Sequence, residues 1–163
     1  MLKGHEPFPA LAVDRHWTLV AMNAAVPPLL AGVAASLLEP PVNVLRLSLH
    51  PDGLAPRILN FEQWRSHVLQ RLGVQIDATA DRGLVELRTE LRNYAMSPRD
   101  EPRPPEVDYA NVVVPFRLRA GDAELAFFST TTVFGTPVDI TLSELAIEAF
   151  FPADEATAAA IRR

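Results

Sequence analysis

The sequence predicts an α+β fold built on a single curved antiparallel sheet. Three observations carry this expectation. Strand signals occur as a close pair near the start, between Pro9 and Met22. Helical spacing of apolar residues governs the middle, from Asn43 to about Tyr94. Strand signals then return late, ending in a long aromatic and β-branched run from Glu124 to Phe134. A chain of 163 residues can bury one real core. Its 48% hydrophobic and 21% charged content is that of a folded chain rather than a disordered one. One domain over residues 1–163 is expected.

The elements follow in order. Leu11 and Val13 lead into the polar corner Asp14-Arg15-His16, and Thr18 to Met22 carry the chain back, which predicts a hairpin. Asn23 stands where a helix N-cap would serve Ala24-Ala25-Val26, although Pro27 and Pro28 keep any helix there short. Asn43 is a second cap, ahead of Val44, Leu45, Leu47 and Leu49, and His50-Pro51-Asp52-Gly53 makes a turn. Phe61, Trp64, Val68, Leu69 and Leu72 recur at helical spacing, with Asn60 and Gln63 imitating a capping box and Gly73 as the expected stop. A third helix, about Asp81 to Tyr94, aligns Leu84, Leu87 and Leu91 on one stripe.

Ser97 to Glu106 carries four prolines and several charges, and reads as a solvated loop. Val112 to Arg119 reads as a strand that Pro115 confines to an edge or a bulge, with Phe116 and Leu118 alternating against Arg117 and Arg119. Ala120-Gly121-Asp122 turns into the long strand, where Phe127 and Phe128 must point to opposite faces. Glu144 to Phe151 fits two patterns. Thr141 and Glu144 suit a capping box and Leu142, Leu145 and Ala149 a helical stripe, whereas Leu145, Ile147, Ala149 and Phe151 alternate as in a strand. Asp154 to Ile161 reads as a short Ala-rich helix.

Several function classes are disfavoured. A net charge of −5 with dispersed Lys and Arg does not suit gripping DNA phosphates. There is no cysteine, hence no disulfide, thiol nucleophile or thiolate metal site. No apolar run approaches the roughly 18 residues of a membrane span, and the first residues lack the apolar stretch of a signal peptide. A cytoplasmic location is the default expectation. His5, His16, His50 and His67 are not spaced as metal ligands on one face, and phosphate-loop, dinucleotide and nucleophile-elbow motifs are missing. Neither a catalytic residue nor a metal is expected. Glu144 and Glu148 form an acid pair only if helical, and read better as a solvated face or as partners of Arg162 or Arg163.

The order and spacing of several segments resemble a known family. They are Pro9 to Trp17 with Met22-Asn23-Ala24-Ala25; Asn43-Val44-Leu45-Arg46-Leu47; Leu49 to Leu54; Asn60 to Trp64; Val114 to Leu118; and Phe127 to Asp139 continuing through Thr141 to Thr157. Together they resemble the MmyB-like regulator ligand-binding domain, a PAS-like sensor that in its family follows an N-terminal helix-turn-helix domain. Met22 replaces the aromatic usual at its position. Only eight residues precede Pro9, so the DNA-binding part is expected to lie outside this chain. The resemblance implies a PAS-like sheet of about five strands with helices between strands 2 and 3, and makes Leu145 to Phe151 the fifth strand.

The resemblance further implies a pocket for an apolar small molecule such as a fatty acid, and no other cofactor. The residues expected to line it are Met22, Leu47, Phe61, Trp64, Leu87, Leu91, Phe116, Phe127 and Phe128, with Arg117 the first choice to meet a carboxylate through its planar fork. Arg46, Arg65, Arg119, Ser129 and Thr131 are further polar groups of suitable type. A homodimer is expected, with ligand binding shifting its geometry and contact to DNA made only through the other domain. Two alternatives stand beside this: a ligand-free dimerisation module in which the same side chains fill a core, and a small-molecule enzyme on a cupped sheet.

Overall fold

In a computed structural model, residues 1–95, 113–133 and 145–162 are described. They form five strands, β1 (Ala10–Asp14), β2 (Leu19–Met22), β3 (Phe116–Ala120), β4 (Ala123–Val133) and β5 (Leu145–Pro152). Four α-helices accompany them, α1 (Val44–Leu49), α2 (Phe61–Thr79), α3 (Arg82–Arg92) and α4 (Glu155–Ile161), with short 3₁₀ turns between. The strands make one antiparallel sheet in the order β2-β1-β5-β4-β3. The helical middle stands between β2 and β3, as expected of a PAS-like α+β fold.

Topology explains why β5 is a strand. It is the central strand, pairing with β1 from Leu145 to Ala149 and with β4 from Ala146 to Pro152. A helix over the same residues would leave the facing backbone groups of β1 and β4 without partners. The helical reading of this segment is therefore overturned, while Thr141 to Glu144 lie outside the described residues. So do the proline-rich loop expected over 97–106 and the start of the strand expected at Val112; β3 begins at Phe116, beyond Pro115. β3 is an edge strand whose exposed side is partly covered, since Leu59 N–H donates to the Arg117 carbonyl at 2.9 Å.

The core lies between the concave face of the sheet and α1–α3. Leu84, Leu87 and Leu91 of α3, Phe61, Trp64, Val68 and Leu72 of α2, and Phe116, Leu118, Leu125 and Phe127 of the sheet are buried together. Asn43 caps α1 as expected, accepting from Leu45 and Arg46 N–H; Asp81 and Asp154, read as the first residues of their helices, prove to be caps too, accepting from Gly83 and Leu84 and from Thr157.

Three local expectations are corrected. Gly73 does not end α2, which runs six residues further to Thr79, because the partly buried Ile76 continues past it the stripe that Leu72 belongs to. Asn23 caps no helix. Buried on the sheet, it accepts from Ala10 N–H and donates to the Phe8 and Leu2 carbonyls, tying the N-terminal segment to β2. Asn60 precedes α2 but its side chain makes no capping bond. It donates instead to Gln63 Oε1 and the Pro115 carbonyl and accepts from Arg117 N–H, joining α2 to β3. No helix among the described residues is long and apolar enough to cross a membrane.

Candidate functional site

A cavity of about 100 Å³, partly open to solvent, lies between the concave sheet and the helices. On that scale an engineered apolar cavity of about 150 Å³ holds benzene. Its walls come from every layer. Trp64, Val68 and Arg71 project from one face of α2 at i, i+4 and i+7. Leu45, Leu47 and Ser48 come from α1, Leu11 and Leu19 from the first hairpin, and Phe116, Phe127 and Phe150 from β3, β4 and β5. Leu29 and Leu30 close one side from the 3₁₀ turn Pro27–Leu30. That turn is tethered by Arg57, whose guanidinium donates to the Leu29 and Ala31 carbonyls.

Two aromatic anchors are fixed by hydrogen bonds. Trp64 Nε1 donates to Ser48 Oγ at 2.9 Å in a buried contact that locks α2 to α1. Trp17 sits in the β1–β2 turn with φ of 67°, a left-handed conformation uncommon for a bulky residue. It is held there by its N–H to the Asp14 carbonyl, its carbonyl to Val44 N–H, and its indole Nε1 to Gln75 Oε1 at 2.9 Å. Such strain persists only where the surroundings over-determine it, and it commonly marks a functional site. Here it turns the indole onto the cavity wall.

The charged lining residues are Arg71 and Glu148, and they are paired. Glu148 points from the central strand toward α2 with only 4% of its surface exposed. Its Oε1 accepts from Arg71 Nη2 at 2.8 Å and from the Thr131 hydroxyl at 2.6 Å. The guanidinium also donates to Thr131 Oγ1 at 3.0 Å and lies 4.9 Å from the centre of the Trp17 ring, within cation–π reach. One turn earlier on α2, His67 is held below the ordinary imidazole value, chiefly by burial and next by the Arg71 charge, with Glu148 opposing. At neutral pH the imidazole is therefore neutral. Among the described residues no group of three or more His, Asp or Glu side chains could hold a metal ion.

The structure brings together part of the set expected from sequence. Leu47, Trp64, Phe116 and Phe127 line the cavity, and all four are buried. Phe61, Leu87 and Leu91 are buried in the surrounding core without reaching the wall. Met22 lies on the edge strand β2 and is 42% exposed. Phe128 points to the opposite face, 37% exposed and stacked on Phe151 with ring centres 5.6 Å apart. Arg117 pairs with Glu124 across the β3–β4 hairpin at 3.3 Å and does not line the cavity. Arg46 is committed to Glu90 by bonds of 2.7 and 2.9 Å, and Arg65 to the Arg92 carbonyl. Arg119 is exposed on β3.

Sequence reasoning missed several apolar wall residues, Leu45, Val68 and Phe150 among them, and with them Trp17 and the charged pair Arg71 and Glu148. The expectation that Glu148 faces solvent or meets Arg162 or Arg163 is overturned by its burial against Arg71. A signal for it existed: a carboxylate inside the apolar run Leu145 to Phe151, once read as a central strand, must find a buried cation. No curated protein matches the chain. A family profile described as MmyB-like transcription regulator ligand binding domain matches residues 1–163, the whole chain, and the fold above is consistent with a PAS-like one. The chain belongs to the MmyB-like transcription regulator ligand binding domain family.

Proposed function

We propose that this domain senses an apolar, fatty-acid-like small molecule held between the sheet and α1–α2, as the regulatory part of a bacterial helix-turn-helix transcription regulator. The observation that carries this reading is the half-open cavity with almost wholly apolar walls, in a family of regulator ligand-binding domains. The cavity is too small for a whole acyl chain of a dozen carbons, so the remainder runs out through its open side. Each methylene enclosed by the cavity brings about 0.8 kcal/mol, so the half-dozen or so that fit bring about 5 kcal/mol, comparable with the low end, about 4 kcal/mol, of the association cost.

The protein works in the cytoplasm as a homodimer and reaches DNA through a helix-turn-helix domain. A ligand preferring one arrangement of the dimer would shift the spacing of the DNA-reading helices. Catalysis is not part of this reading. The charged groups on the wall neutralise one another, and among the described residues the lining offers no nucleophile held by a base.

Native mass spectrometry of the purified domain, followed by denaturing extraction, tests the reading. The expected result is a bound species that extracts as an acyl-chain compound, or uptake of one on addition. A clean apo mass, together with failure to bind an added fluorescent acyl probe, would overturn it.

A further inference from the structure

We propose that the cavity accepts its ligand's polar head only in uncharged form: as an alcohol, an amide or an ester, or as an acid that has taken up a proton. This rests on the amphiphile-binding reading above and specifies the head group. An arginine on the wall of an apolar cavity invites a carboxylate, but Arg71 is already paired with one. Its Nη2 donates to Glu148 and to Thr131, and Nη1 lies 3.5 Å from the second Glu148 oxygen. The charges of Arg71 and Glu148 cancel. An ionised head placed against Arg71 would also meet Glu148, and two carboxylates sharing one cation cannot both stay charged without cost.

Among the described residues, the other elements around this pair supply no second cation to the wall. His67, on α2 with Arg71, is kept neutral by burial and by the Arg71 charge. α1 contributes the Ser48 hydroxyl to the wall, whereas the Thr131 hydroxyl of β4 lies beside the pair, outside the wall, with its proton given to Glu148. The β1–β2 turn contributes the Trp17 indole, whose N–H is taken by Gln75. Ser48 Oγ accepts from Trp64, which leaves its own proton to donate to a neutral oxygen. The polar groups of this wall are thus suited to hydrogen-bond a neutral head, and they provide no net charge to balance an ionised one.

The test compares 1-dodecanol with dodecanoate by displacement of a fluorescent acyl probe from the wild-type domain between pH 6 and 8.5. The expected result is pH-independent affinity for the alcohol. For the acid, ionised in water above pH about 5, affinity should fall roughly tenfold per pH unit, because binding takes up one proton. Glu148→Gln should abolish that slope and make the acid the tighter ligand, since Arg71 is then an unneutralised cation. Flat acid binding equal to or tighter than that of the alcohol in the wild type would overturn the head-group assignment, whatever the variant does. Failure of the domain to bind the probe at all, with neither compound binding in direct titration, would overturn the amphiphile reading itself. The two failures are therefore distinguishable.

Discussion

Glu148 sits on the central strand at the cavity wall, and a carboxylate so deeply buried needs compensation. Transferring an unpaired charge into a protein interior costs several kcal/mol. Here Arg71 and the Thr131 hydroxyl supply the compensation. Removing the cation alone leaves that charge buried and uncompensated. Arg71→Met is thus expected to lower stability by on the order of 3 kcal/mol, at the low end for breaking a buried pair because Arg71 itself is partly exposed. The double variant Arg71→Met with Glu148→Gln removes both charges, keeps an amide near Thr131, and should recover most of the loss. Urea denaturation of the two variants checks this; a double variant as unstable as the single would show that the pair acts through packing rather than charge. Neither residue could be connected to the other from the sequence. They are 77 positions apart, and their contact depends on where α2 crosses β5. Arg71 in isolation is indistinguishable from any arginine on a helix surface.

At the scale of elements, local chemistry sufficed where an element's own residues decide its form. The polar corner Asp14-Arg15-His16 forecasts the first hairpin because Asp14 Oδ1 accepts from the His16 and Thr18 N–H groups and closes the turn. The Leu84, Leu87 and Leu91 stripe forecasts α3 because all three are buried. Local chemistry failed at Gly73. A glycine inside a helix costs only about 1 kcal/mol relative to alanine, and burial of Leu72 and Ile76 on either side outweighs that. The same reasoning makes the site improvable. A methyl group at Gly73 would meet only the end of the Arg88 guanidinium, at 3.1 Å. Arg88 is a flexible side chain able to move by the few tenths of an ångström required. Gly73→Ala is therefore expected to raise stability by about 0.5–1 kcal/mol, read as a higher urea midpoint at unchanged slope. A lower midpoint would mean that Arg88 is held more firmly than its position suggests.

Over the whole molecule, the antiparallel sheet with its helical insertion followed from the order of strand and helix signals, whereas the cavity did not. Apolar side chains that line a void and those that fill a core have the same sequence signature. Leu47 and Leu87 are both buried helical leucines, yet only Leu47 reaches the cavity, because the difference lies in how α1, α2 and the hairpin are spaced. That spacing can be tested by filling it. Val68 is buried on α2, in the middle of the run Trp64, Val68, Arg71 that forms one wall. Elsewhere in a close-packed interior a larger side chain forces strain costing about 1–3 kcal/mol. At Val68 a phenylalanine can extend into space that is already empty. The added contacts and apolar burial offset the strain, so Val68→Phe should retain stability within about 1 kcal/mol. The same ring would occupy the volume proposed for the ligand, and binding of an acyl probe should be lost. A natural domain that keeps such a void forgoes the packing that would fill it, which is expected where function rather than stability sets the shape. Thermal denaturation and probe titration of the one variant thus report on both halves of the argument. Retained stability with undiminished binding would place the ligand elsewhere on the fold, and a loss of several kcal/mol would show the wall to be closed against any occupant of that size.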